Sequence, residues 1–188
     1  MRSAITISLV PQAKGGPFVF WDGLADGCAR AAELGFDAVE IFPPAAHALD
    51  IAELQGLLDH HKLGVAAIGT GGGWVVHKWT LTHPDAAAWL RTQATQNIRL
   101  LCDLFHMAIE EADIAVALRE CGPLVGHVHF ADSNRRAIGM GHTAVAPIVA
   151  ALRDIGYKGY LSAEILPLPD ADAAAKRTME SFRKFTSH

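Results

Sequence analysis

The sequence predicts an α/β fold of parallel strands, a (β/α) barrel shortened to about six units. Three observations predict it. Short apolar runs alternate with longer helix-period patterns along the whole chain. Those runs are nearly continuous in apolar residues, as expected of parallel strands covered on both faces. Glu40, Asp103, His129 and Glu164 each fall at or near the C-terminal end of a different run. An open doubly wound sheet collects its ligands at one switch point, whereas a barrel gathers strand-end residues from around its rim, which favours the barrel. A full eight-unit barrel takes about 250 residues. At 188 residues this chain falls two units short.

The elements follow in order. AITISLV (4–10) reads as a strand, and WDGLADGCARAAELG (21–35) as a helix stopped by Gly35. FDAVEIF (36–42) is a second strand closed by two prolines. DIAELQGLLDHHKLG (50–64) is a helix with Asp50 as N-cap and Gly64 past its end. VAAIG (65–69) is a third strand that runs into TGGGW (70–74). An Ala-rich helix follows Pro84, then a strand over 97–105 and a helix over 110–122 with acidic residues at its start. A strand over 124–130, a helix over 143–156 that takes Pro147 into its first turn, a strand over 159–166 and a helix over 170–185 complete the pattern. No Pro/Gly/Ser-rich linker interrupts the units, so residues 1–188 read as one domain.

Composition narrows the function. At 51% hydrophobic the chain is too apolar for disorder. A formal charge of −4 with scattered basic residues gives no footprint for nucleic acid. MRSAITISLVPQ is too short for a signal core or a membrane span. Cys28, Cys102 and Cys121 are odd in number and follow no C-x-x-C pattern, which predicts free thiols and a cytoplasmic protein.

The polar residues on the strands carry the chemistry. Asp103 ends an apolar run, where a carboxylate is costly unless it is paired or bound to a cation; a helix cap or a salt bridge is the plainer reading. His127 and His129 lie two apart on one strand and point to the same face. Glu164 in YLSAEIL is flanked by apolar residues and needs a cation or an arginine. Together Asp103, His129 and Glu164 offer oxygen and nitrogen donors suited to Mn²⁺, Mg²⁺, Co²⁺ or Zn²⁺. TGGGW reads either as a turn or as backbone approaching a ligand, with Trp74 as an apolar wall and His77 near enough in sequence to bind a hydroxyl or phosphate group. No Gly-x-Ser-x-Gly elbow or reactive-cysteine signature is present, which argues against nucleophilic hydrolysis.

CDLFHMAIEEAD, GHVHFADSNRRAIGMGH and GYKGYLSAEIL resemble the last three β–α units of the xylose isomerase-like TIM barrels, and GFDAVEIFPP and IGTGGGW resemble its second and third. That family includes sugar phosphate isomerases and epimerases, the ketose 3-epimerases and AP endonuclease family 2-like proteins. The resemblance implies that Asp103, His129 and Glu164 are metal ligands, with Mn²⁺ the foremost candidate, and that Glu164 is also a catalytic base. It implies that His106 and Arg135 hold substrate oxygens and that Glu40 lines the pocket. The implied activity is metal-dependent isomerisation or epimerisation of a small sugar or polyol derivative, by proton transfer next to a carbonyl through an enediolate.

The sequence also departs from that family. Its members carry another Glu at the end of the fifth strand, in a segment like E-P-L-N-R, and no such segment occurs here. Strands four and five of the family barrel have no counterpart between AAAWLRTQATQ and NIRLLCDLF. Strands three and six would then be edges that pair with each other, are covered, or pair with a second copy in a dimer. Glu40, His77 or water would have to stand in for the absent Glu. The alternative function is therefore a shortened member that binds sugar or metal, or serves as a subunit, without turnover. A DNA-repair endonuclease is disfavoured by the net charge and by a set of only three ligands.

Overall fold

The structure, a computed structural model, describes residues 1–69 and 99–187. Trp74, His77, the TGGGW turn and the helix expected after Pro84 lie outside the described residues. Among the described residues six strands form one sheet: β1 (Arg2–Ser8), β2 (Ala38–Phe42), β3 (Gly64–Ile68), β4 (Leu100–Asp103), β5 (Val125–His129) and β6 (Tyr160–Ala163). Their spatial order is β3-β2-β1-β6-β5-β4, and every pairing is parallel. The sheet curls into a half-barrel. Among the described residues β3 and β4 are its two edges and do not pair with each other, so the edges expected from the sequence are present but not joined.

Among the described residues the α-helices are α1 (Leu24–Leu34), α2 (Ile51–His61), α3 (Leu104–Glu110), α4 (Ile114–Cys121), α5 (Val145–Asp154) and α6 (Ala171–Thr186). Their ends have local chemical causes. The Asp50 side chain accepts from the amides of Ala52 and Glu53, and Asp170 accepts from Ala173. Gly35 closes α1 in the left-handed region at φ 82°. Lys62, rather than a glycine, closes α2 with φ 57°, and Gly64 opens β3 instead. Pro147 sits in the first turn of α5, where its missing N–H costs no helix bond.

Two expected elements are corrected. The strand predicted over 97–105 stops at Asp103, and Leu104 begins α3. Asp103 causes the switch, because its Oδ1 accepts the amides of Phe105 and His106. The helix predicted over 110–122 is the shorter α4, started afresh by Asp113, whose carboxylate accepts from Val116.

Period-two alternation sorts the strand residues. Ile5, Ile7, Val39 and Ile41 pack with Cys28, Ala31, Leu54, Ala174 and Met179 in one helix-facing core. Cys102, Val128 and Leu161 pack with Leu118, Val149 and Leu152 in a second, and Phe182 of α6 touches both. The opposite face carries Thr6, Glu40, Asp103, His127, His129 and Ser162, and register sets Asp103 beside His129 and His129 beside Ser162.

α1 crosses β1 so closely that a Cβ added to Gly27 would lie 2.6 Å from Ile7 Cδ1 and 2.7 Å from its Cγ1. Ile7 is fully buried and has no room to turn aside. Helix propensity alone would favour Gly27→Ala by about 0.5–1 kcal/mol, but overpacking costs about 1–3 kcal/mol. The variant is expected to lose about 1–2 kcal/mol in urea unfolding; an unfolding midpoint at or above that of the unaltered chain would refute the close α1–β1 contact.

Candidate active site

Register and alternation bring side chains from four strands and one loop to a single point. Asp103 ends β4 and His129 ends β5, opposite each other in the ladder. Glu164 follows β6 directly, and Glu40 lies mid-way along β2. All four are buried.

His129 is at the centre. Its Nδ1 lies 3.3 Å from Asp103 Oδ2 and 3.5 Å from Glu164 Oε2, and its Nε2 lies 3.3 Å from Glu40 Oε1. Asp103 divides its two oxygens: Oδ1 caps α3 and Oδ2 faces the imidazole. Glu40 Oε2 accepts from the Ser162 hydroxyl and lies 3.1 Å from His127 Nε2. Behind His129 there is thus a closed polar trio of Glu40, His127 and Ser162, and in front a carboxylate pair of Asp103 with Glu164.

Arg135 closes the front. Its Nη2 donates to Glu164 Oε2 and lies 3.9 Å from Asp103 Oδ2, and its guanidinium stands 5.0 Å over the Phe105 ring. The loop that delivers it is wound around Asp132. This buried carboxylate accepts the amides of Ser133, Gly139, Gly141 and Thr143. Burial raises the Asp132 pKa, but those amides and the Thr143 hydroxyl outweigh it and hold the group at about 2. Arg135 itself takes a left-handed φ of 58°, and its carbonyl accepts from the amide of Leu166 just past Glu164. His106 stands at the rim, exposed, 3.4 Å from Arg135 Nη1 and 3.8 Å from Asp103 Oδ2.

The electrostatics follow from three buried carboxylates around one imidazole. Burial lowers the pKa of His129, yet hydrogen bonds to Asp103 and Glu40 and the charges of Glu40 and Glu164 overcome it and raise it to about 10. Burial raises Glu40, and its bonds to His127 and His129 more than reverse this, holding it well below the carboxylate range. Asp103 is likewise lowered against its burial by His129 and Arg135. Glu164 differs: burial prevails over His129 and Arg135, and its pKa is raised.

The donor set fits a divalent cation. Asp103, His129 and Glu164 each present one ligand atom within 4.8 Å of the others, all at buried positions. One imidazole and two carboxylates suit Mn²⁺, Mg²⁺, Co²⁺ or Zn²⁺. Of the residues singled out in the sequence, Asp103, His129, Glu164 and Arg135 come together, with His106 at the edge. Glu40 lies behind His129 with both oxygens engaged. His127 was legible only as a neighbour of His129 on one face, and Ser162 was not singled out at all. The alternation in YLSAEIL that puts Ser162 on the face of Glu164 is the signal that points to it.

Several curated proteins are similar to part of this chain. A D-psicose 3-epimerase of Agrobacterium fabrum is 41% identical over 78 residues, covering 42% of this chain and 27% of that protein. An L-ribulose 3-epimerase of Mesorhizobium japonicum is 39% identical over 83 residues, covering 44% of this chain and 28% of its own length. The matches thus span less than a third of those relatives. Among solved structures, that of an L-ribulose 3-epimerase superposes with a TM-score of 0.71 at 20% identity, over 99% of this chain and 94% of the other. A D-allulose 3-epimerase from Methylomonas sp., solved in complex with D-allulose, gives 0.67 at 18% identity over 98% of each chain. These likenesses establish the shared fold. Residues 82–185, more than half the chain, match the family described as xylose isomerase-like TIM barrel, and with β4, β5, β6 and their strand-end residues all inside that match, the chain belongs to this family.

Proposed function

We propose that this chain is a metal-dependent isomerase or epimerase of a small sugar, with Glu164 as the base that moves a proton on the carbon next to a carbonyl. The observation that carries the reading is the meeting of Asp103, His129 and Glu164 at the ends of three neighbouring strands, with Arg135 beside them. The ketose 3-epimerases among its relatives support a ketose as substrate.

Each residue has a chemical task in this reading. Asp103 Oδ2, His129 Nδ1 and a Glu164 oxygen would hold the cation, which when bound supplies charge stabilisation to substrate oxygens as they become negative. Arg135, which donates to His106 Nε2, and His106 beside it at the open side would orient substrate hydroxyl and carbonyl oxygens. Burial raises Glu164, which makes it a stronger proton acceptor than an exposed carboxylate. It would take the proton from one carbon, leaving an enediolate, and return it to the neighbouring carbon, a transfer that one base can complete, whereas inversion at the same carbon would need a proton from the opposite face of the enediolate. A second reading, metal and sugar binding without turnover, is favoured by one observation. Glu40, the nearest carboxylate beyond Asp103 and Glu164, is only 1% exposed and has both oxygens engaged, so it is not free to serve as a second base.

The test is turnover of D-fructose, D-psicose and L-ribulose with Mn²⁺. Activity is expected, and Glu164→Gln should lower kcat by about 10²–10⁴-fold. No turnover by the unaltered chain on any of these sugars, with metal bound, would select the second reading. Metal uptake carries its own signature. His129 must be neutral to bind a cation, so at pH 7 titration with Mn²⁺ should release about one proton, read as a dependence of the calorimetric heat on buffer ionisation. Heat that is independent of the buffer would remove His129 from the ligand set.

The pH dependence of the metal-free chain has a definite sign. His129 is raised in the fold, so its stabilising contribution is complete below the unfolded imidazole value near pH 6.5 and is lost as pH rises towards its folded value of about 10. In EDTA, unfolding free energy should fall across that window with a slope of at most about 1.4 kcal/mol per pH unit. His129→Gln should flatten it. An unchanged slope in that variant would show that some other group titrates.

A further inference from the structure

Glu40 was expected to line the pocket, and its geometry gives it a different task. It is almost wholly buried, on the far side of His129 from Arg135 and the open edge. Both of its oxygens already have partners, Oε1 with His129 Nε2 and Oε2 with His127 Nε2 and the Ser162 hydroxyl. A carboxylate in that position meets only protein side chains, those of His129, His127 and Ser162. What it does have is one face of the imidazole that the proposed metal site needs.

An imidazole has two nitrogens, and only the one without a proton can bind a cation. Nδ1 of His129 points between Asp103 and Glu164, the two carboxylates that complete the candidate set. Nε2 points at Glu40. An ionised carboxylate only accepts, so it favours the tautomer with hydrogen on Nε2 and thereby leaves the Nδ1 lone pair facing Asp103 and Glu164.

Glu40 is in turn fixed. Ser162 lies next to His129 in the β5–β6 ladder and donates to Glu40 from the same sheet face. The His127 ring stands edge-on to His129, 85° between planes at 5.4 Å, and its Nε2 approaches the same Oε2 that Ser162 meets. The order is therefore Ser162 and His127 on Glu40, Glu40 on His129, and His129 on the site.

From this geometry we infer that Glu40 is the positioning residue for His129, a buried acceptor held by Ser162 and His127 that keeps the proton on Nε2 and presents Nδ1 to the cation. The inference rests on the metal-binding part of the proposed function, and the two fail separately. Titration of the unaltered chain with Mn²⁺ tests the metal site itself, and absence of binding there overturns both. Comparison with Glu40→Gln tests Glu40.

In the folded variant, shown by an unfolding transition in urea, Mn²⁺ affinity should drop about 10–100-fold. Affinity within twofold of the unaltered chain overturns the inference. So do two Mn²⁺ equivalents in the unaltered chain with one lost in Glu40→Gln, because Glu40 would then be a direct ligand. If the variant does not fold, ¹⁵N spectra of the histidine rings in the unaltered chain with Zn²⁺ decide. A proton on His129 Nε2 with the metal at Nδ1 is expected, and the metal at Nε2 overturns the inference.

Discussion

Three carboxylates, those of Glu40, Asp103 and Glu164, are buried around the one imidazole of His129, and the rest of the site is arranged by that constraint. Buried anions at such separations are strongly unfavourable unless cations and donors meet them. The fold supplies these from different places. β5 brings His129 and His127, β6 brings Ser162, α3 offers two amides to Asp103, and the loop after β5 brings Arg135. None of these is local in sequence to all three acids. Parallel register is what lines them up, since Asp103, His129 and Ser162 occupy adjacent rungs of neighbouring strands.

The loop that carries Arg135 shows how far that constraint reaches. A guanidinium on a loose loop would meet Glu164 only part of the time and would lose side-chain entropy on doing so. Asp132 removes that freedom by gathering four backbone amides between residues 133 and 143. A Cβ on Gly141 would lie 2.5 Å from Asp132 Oδ1, so the carboxylate and the turn fit only because that residue is glycine. Arg135 is thereby held in a left-handed conformation that a free chain rarely adopts. The second buried carboxylate system is structural, and its product is the placement of one cation.

Much of this was legible in the sequence, and the failures have physical causes. Strand-end acids and a histidine pair at period two identify a polar face because that spacing survives whatever the exact strand limits are. Asp103 shows the limit: LLCDLFH is apolar enough to read as strand throughout, and only the competition of its carboxylate for the next two amides ends the strand. Glu40 shows another. VEIF identifies a buried acid but not which way its oxygens are spent, because His127, His129 and Ser162 are 87 to 122 residues away in sequence. Ser162 carries no signal by itself, being an ordinary small residue in a strand. Its role exists only through the β5–β6 pairing.

The same constraint explains why one site can suit both a proton and a cation. With His129 protonated, the imidazolium and Arg135 face three carboxylates, and one negative charge is left for water or for a raised Glu164 to absorb. With a divalent cation and a neutral imidazole, the positive charge of the cation and of Arg135 together would match the three acids. The charge balance therefore favours exchange of the proton for the cation, and it favours a divalent ion over a monovalent one. Glu40 is necessary to this argument although it lies behind the ring. Without it the two carboxylates in front would attract the imidazole proton to Nδ1, the nitrogen that must be free. A buried acid on the far side of the ring draws the proton the other way. The arrangement that stabilises the metal-free fold is, on this reasoning, already oriented for the bound one.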